Sequence, residues 1–170
     1  MSHSVVLSRA GIGLKAPLVK VEAHLSTGLP AFSVVGLPES SVRESRERVR
    51  SALICSHFKW PDRRITVSLA PAELPKGGGR FDLPIALAIL VASGQLSAST
   101  VVNREFFGEL GLDGSLRHCR GLLSAVQAAT LDQRAVILPA EQAKKMAVVP
   151  GSRVAAAGDL LSVCGLLKSK

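Results

Sequence analysis

Leu74-Pro75-Lys76-Gly77-Gly78-Gly79-Arg80-Phe81-Asp82-Leu83-Pro84-Ile85-Ala86-Leu87-Ala88-Ile89-Leu90-Val91-Ala92-Ser93 is the stretch of this 170-residue chain that decides its architecture. Residues 70–80 read as a Pro/Gly loop. Asp82 is expected to cap a helix whose body is residues 83–93. Pro84 stands near its start, where a missing N–H costs little. The helix is apolar nearly all round, so it should be buried on every side. Other layers must therefore surround it.

Upstream, residues 5–7 and 19–25 read as strands. The second alternates Val19, Val21, Ala23 and Leu25 against Lys20, Glu22 and His24, the pattern of one buried face. A turn at Gly28-Leu29-Pro30 leads to a third short strand over 32–35, and Gly36-Leu37-Pro38 ends it. Pro38 suits a first helical turn. Residues 39–56 then place Val42, Ser45, Val49, Ala52, Leu53 and Ser56 at helical spacing, with Arg43, Arg46, Arg48 and Arg50 assigned to the opposite face. Residues 65–69 alternate as another strand.

Downstream, residues 106–112 and 115–118 flank Asp113-Gly114, a hairpin signal in which Asp-Gly supplies the positive φ angles of a type I′ turn. Residues 120–130 read as a helix, 135–138 as a strand, 140–146 as a short helix and 154–157 as a last strand. Asp159 is expected to cap a closing helix that runs to Leu167. The beginning looks like an antiparallel meander. The strand–helix alternation of the second half predicts parallel pairing, and the whole predicts a mixed α/β domain spanning 1–170.

Composition narrows the function. Hydrophobic residues make up 47%, enough to build a core, and aromatics only 4%, so the core is aliphatic and platforms for stacking bases are scarce. The net charge of +8 invites an anionic partner. That excess is spread as +3, +2 and +3 over residues 1–56, 57–103 and 104–170, so no single basic tail carries it. Cys55, Cys119 and Cys164 are odd in number and in no CxxC pattern, which suits a reducing cytosol better than a disulfide framework. Met1-Ser2-His3-Ser4 has no signal-peptide character, and the longest apolar run, 83–92, is about half the ~20 residues of a membrane span. A cytoplasmic protein without a membrane partner is expected.

Motifs exclude more than they include. No Gly-Lys pair occurs, so a P-loop is absent and the chain itself is not expected to bind or hydrolyse ATP. Lys76 and Arg80 could hold an anion at the helix N-terminus. An aspartate at that end of the dipole opposes this, and a plain connector is the stronger expectation. Arg43, Arg46 and Arg50 stand at i, i+3, i+7 and share a face. The i, i+4 pairs Glu39–Arg43, Arg43–Glu47 and Glu44–Arg48 would offset much of their charge, so a salt-bridged solvated or subunit-facing helix is the stronger expectation over a nucleic-acid groove. The four histidines show no ligand spacing, so neither a metal nor a cofactor is expected.

Several stretches belong together: Ser8-Arg9-Ala10-Gly11; Gly28-Leu29-Pro30; Val34-Val35-Gly36-Leu37-Pro38-Glu39; Arg48-Val49-Arg50-Ser51-Ala52; Leu69-Ala70-Pro71-Ala72; Leu74-Pro75-Lys76; Gly78-Gly79-Arg80-Phe81-Asp82-Leu83-Pro84-Ile85-Ala86; and Gly108-Glu109-Leu110. They resemble the N-terminal domain of the ComM/YifB family, bacterial relatives of the magnesium chelatase ATPase subunit. The resemblance implies a ribosomal-protein-S5-domain-2-like fold of the Lon proteolytic type. It also implies an AAA+ module after residue 170, which would bring ATP and Mg2+. In ComM proteins that module is a hexameric DNA motor for branch migration in natural transformation, so a homo-oligomer and single-stranded or branched DNA are the implied partners. By the same resemblance an isolated domain or a truncated product is expected.

The Lon likeness also raises a Ser-Lys peptidase, in which a lysine of lowered pKa activates a serine. The resemblance places Asp82 where that serine belongs. Gly108-Glu109, Gly114 and Gly121-Leu122 then lead to Leu123 where the lysine belongs, and no lysine lies between Lys76 and Lys144. An aspartate and a leucine cannot supply that nucleophile and base, so a non-catalytic domain is expected. A similar Lon-like domain in RadA-type recombination helicases implies roles in ring assembly and DNA contact. Arg43, Arg46, Arg50, Lys76 and Arg80 are the candidate DNA-facing or subunit-facing residues. A peptidase and an accessory subunit of a metal chelatase are the alternatives.

Overall fold

A computed structural model describes residues 2–12, 14–74, 76 and 79–169, with the side chain of Glu39 also left out. Gly77, Gly78 and Pro75 of the glycine loop, and the expected Glu39–Arg43 pair, therefore lie outside the described residues. A seven-stranded mixed sheet runs in the order β3-β4-β2-β1-β5-β8-β9, and β6 and β7 form a separate two-stranded ribbon.

The first four strands of that order are β3 (Ala31–Val35), β4 (Arg64–Ala70), β2 (Leu18–Ser26) and β1 (Ser2–Arg9). Val19, Val21, Ala23 and Leu25 of β2 are all buried, so the alternation places them as expected. Beneath them lies α2 (Asp82–Ala92), in which every residue but Val91 is buried. Its all-round apolarity has a direct cause. One side packs on β1 and β2, and another meets α1 (Glu39–Cys55). Truncating Leu87 or Ile89 there would cost about 2–5 kcal/mol by the usual large-to-small toll.

The opening segment departs from a simple meander. β1 and β2 pair antiparallel, but β3 skips β2 and joins β4 in parallel. The 17-residue α1 connects β3 to β4, and such a crossover brings the chain back in the same direction.

In the other half, β5 (Arg104–Phe106), β8 (Ala135–Pro139) and β9 (Val154–Ala157) are parallel. Strand β8 separates two layers. Val136 and Leu138 pack with α3 (Leu122–Leu131) and α4 (Ala140–Met146), while Ile137 joins the cluster built by α2 and α5 (Leu160–Lys168). Asp159 caps α5, its carboxylate accepting from the Ser162 amide at 2.7 Å.

The expected hairpin forms with other chemistry. Phe106 belongs to the main sheet, and only β6 (Glu109–Leu110) and β7 (Leu116–Arg117) pair across the turn. The Gly114 amide donates to the Gly111 carbonyl at 2.9 Å, and the Gly111 amide to the Ser115 carbonyl at 2.8 Å. Gly114 has φ +89°, whereas Asp113 is not among the positive-φ residues. The loop is thus the three-residue kind with a bulge glycine, not a two-residue type I′ turn.

A buried ion network joins the halves. Glu105 is 0% exposed, and Arg9 grips it with Nε at 2.7 Å and Nη2 at 2.9 Å. Arg134 adds a bond at 3.1 Å, while Arg9 also reaches the Ala16 carbonyl at 2.9 Å and Asp132 at 2.5 Å. The Arg9 hydrogen bond holds the Asp132 carboxyl below its ordinary pKa. Glu105→Leu leaves Arg9 buried without its bidentate partner. This should cost about 3–5 kcal/mol, a fall of about 10 °C in Tm at this chain length. Thermal unfolding of Arg9→Met/Glu105→Leu should recover most of that loss; no recovery would refute the pairing account.

Candidate functional site

Asp82 is the centre of the site, though not as a cap. Phe81 holds the N-cap position with α-region dihedrals, so Asp82 is the first helical residue and makes no capping bond. Its carboxylate turns sideways into the protein and is 1% exposed. Arg48 donates from Nε to Oδ2 at 2.6 Å and from Nη2 to Oδ1 at 3.2 Å. The Ser45 hydroxyl donates to Oδ1 at 3.0 Å and the Leu110 amide to Oδ2 at 3.1 Å. The guanidinium and the amide can only donate, which requires the carboxylate as acceptor.

Arg48, expected on the outer face of α1, instead points inward. It stands at i+3 from Ser45 and one residue before buried Val49, within the stripe that continues to Ala52. Glu44 at 3.7 Å and Glu109 at 3.9 Å surround the same guanidinium. Of the expected i, i+4 pairs, Glu44–Arg48 forms; Arg43–Glu47 is not among the ion pairs of the described residues.

Backbone bonds tie the neighbouring segments together. The Leu83 amide donates to the Gly108 carbonyl at 3.0 Å, and the Gly108 amide to the Arg80 carbonyl at 3.2 Å. Gly79 lies so close to Glu109 that a Cβ would meet its Cγ at 2.5 Å, so no larger residue fits without displacing it. The Ser51 hydroxyl holds the hairpin tip through the Leu112 carbonyl at 2.6 Å.

Two candidate contact residues are held by backbone carbonyls. Lys76 is only 6% exposed, and its ammonium donates to the carbonyls of Pro71 at 2.6 Å and Leu74 at 2.9 Å. Arg80 is half-buried and donates to the Arg9 carbonyl at 3.1 Å and to the Arg120 carbonyl. Burial lowers the pKa of both. Each cation thus spends part of its donor capacity on backbone carbonyls of the fold, Lys76 from a buried position and Arg80 from a half-buried one. Arg43, Arg46 and Arg50 are exposed on α1.

Leu123, the other position of the implied dyad, is 48% exposed on α3, while the groups that meet Asp82 come from α1 and β6. The only lysine ammonium that hydrogen-bonds within the described residues is that of Lys76, and it meets carbonyls rather than a hydroxyl. Near the site Cys119 is buried, which pushes its thiol up to about 11, far from a reactive thiolate. Gln142 brackets it, with Oε1 accepting from the Cys119 amide at 2.8 Å and Nε2 donating to its carbonyl at 2.5 Å.

A mixed seven-stranded sheet with a buried helix under its β1–β2 half defines the class: an α/β domain of the S5-domain-2-like, Lon type. The family model described as "Subunit ChlI of Mg-chelatase" matches residues 21–142, and the chain belongs to that family. It is 49% identical to the competence protein ComM of Haemophilus influenzae over 170 residues, all of this chain and 33% of that protein. It is 45% identical to the YifB protein of Escherichia coli, again over its whole length and 34% of the relative. A Mycobacterium tuberculosis protein is 41% identical over 140 residues, 82% of this chain and 28% of that one. The chain thus spans about a third of the length of the relatives that match it throughout. No helix of the described residues is long and apolar enough to cross a membrane.

Burial pushes the Asp82 carboxyl above its ordinary value of 3.8 despite the opposing pull of Arg48, Leu110 and Ser45. Arg48 is itself raised, chiefly by its hydrogen bond to Asp82. A folded pKa above the unfolded one means that this group's titration favours folding most below the unfolded value, and that the benefit is lost as pH rises through the folded value. Urea unfolding should therefore show wild type gaining stability relative to the non-titrating Asp82→Asn as pH falls from 7 toward 3.8. A gap that moves the other way would mean that Arg48 outweighs burial.

Proposed function

We propose that the chain works as the non-catalytic N-terminal domain of a ComM-like AAA+ DNA motor, supporting ring assembly and contacting DNA through the exposed arginine face of α1. The ComM-like relationship runs over the whole chain. In this reading ATP and Mg2+ act in the remainder of the longer protein, a cytoplasmic homo-oligomer that handles single-stranded or branched DNA in branch migration. The exposed placement of Arg43, Arg46 and Arg50 carries the DNA part of the reading, because their neighbour Arg48 is neutralised inside and leaves them to outside partners. A non-catalytic role is supported by Asp82, whose oxygens are occupied by Arg48, Ser45 and the Leu110 amide.

Three arginines on phosphates would give a slope of about −2 in log affinity against log salt for single-stranded DNA. Arg43→Ala/Arg46→Ala/Arg50→Ala should bring that slope close to zero in fluorescence anisotropy. Lys144→Ala/Lys145→Ala, which removes two exposed cations of α4, should leave it unchanged. An unaltered slope in the triple variant would remove α1 from the interface.

A further inference from the structure

Where β5, β8 and β9 begin, a cavity of about 250 Å³ opens between the sheet and α5. Arg104 faces Ala135 in register, and Ile137 faces Ala155, so these side chains share the sheet face that α5 covers. Ala135 and Ala155 are small, and Leu166 of α5 stands over them 38% exposed, which leaves the space between unfilled. Arg104 and Arg153 flank this apolar floor, and among the described residues no acidic one lines it. Among the described residues each guanidinium makes one internal bond, Arg104 to the Thr100 carbonyl at 2.8 Å and Arg153 to the Gln133 carbonyl at 2.5 Å. Their five-donor forks retain N–H groups for a further acceptor.

We propose that this cavity is a docking pocket for a protein segment presenting one large apolar side chain beside a carboxylate, with the side chain over Ala135, Ile137 and Ala155 and the carboxylate between Arg104 and Arg153. Size selects the occupant. The space falls short of the roughly 300–1,000 Å³ of sites for cofactors and drug-sized ligands, and it suits a single anchor of the kind that dominates interfaces. Charge selects the neighbour. Arg104 and Arg153 stand on either side of β8, about 10 Å apart at the backbone by strand spacing, and a carboxylate between them meets charge-assisted donors.

The test uses the full chain, labelled with 15N, and three probes: Ac-Ala-Phe-Glu-Glu-Ala-amide, its Gln-Gln counterpart, and N-acetylphenylalanine as a free small acid. The Glu peptide should shift the amides of residues 135–137, 153–155 and 166. It should bind about tenfold more tightly than the Gln peptide. Arg104→Gln/Arg153→Gln should lose about the same factor. Ala155→Leu, which fills the floor and leaves both arginines, should abolish the shifts. Equal affinity for the Glu and Gln peptides, shifts confined to other surfaces, or no binding of the Glu peptide would each overturn the proposal. Binding of the free acid as tight as that of the peptide would overturn the protein segment as occupant.

Discussion

A carboxylate buried at the first turn of a wholly apolar helix has few ways to exist, and Asp82 takes one of them. Moving such a charge out of water costs several kcal/mol even after relaxation, so it must find donors or become protonated. Here the donors come from two other parts of the chain, Ser45 and Arg48 on α1 and the Leu110 amide on β6. None of the three is a sequence neighbour. The pair therefore fixes where α1 and the β6–β7 ribbon sit relative to α2, and the close approach of Gly79 to Glu109 follows from that placement.

The Arg9–Glu105 pair does the same work at the other end of the sheet. β1 and β5 touch in parallel through a single register pair, Leu7 with Glu105, a thin seam between the antiparallel and parallel halves. The buried bidentate bond, continued to Asp132 and Arg134, fastens that seam to the end of α3 and the start of β8. Both joints convert non-directional apolar burial into one particular alignment of layers. Apolar residues of similar volume could hold the layers together as strongly, but with less to choose between registers.

Periodicity made the strongly patterned elements legible: β2 with its alternation, α2 with its apolar surround, α5 with its Asp159 cap. Shorter or non-local features were not. β5 is three residues long, too brief to show a period, and its partners lie nearly a hundred residues upstream and thirty downstream. The pairing of β3 with β4 depends on a crossover that local pattern does not reveal. In the candidate site, charge was a poor guide to exposure. Lys76, Arg80 and Arg48 read as surface cations, yet each is held by carbonyls or carboxylates inside the fold. For Arg48 a signal did exist, since it follows Ser45 by three residues and precedes Ala52 by four, inside the buried stripe. For Lys76 and Arg80 there was none, because their acceptors are backbone carbonyls that only the folded loops bring near.

The stretches that carry the family likeness gain a physical meaning from this arrangement. Gly79-Arg80-Phe81-Asp82-Leu83, Gly108-Glu109-Leu110 and the Arg48-Val49-Arg50-Ser51-Ala52 turn of α1 are far apart in sequence and meet at one buried pair. Leu69 and Lys76, from two further stretches, close around Gly36 of a third. Such residues act as joints. A joint of this kind resists change for a reason separate from catalysis, because removing one member strands a charge or opens a close contact. Asp82 thus stands where the Lon likeness would put a nucleophile and serves as a clamp, with its oxygens turned to the protein rather than to a substrate. The outward side of α1, with its three exposed arginines, takes no part in these joints.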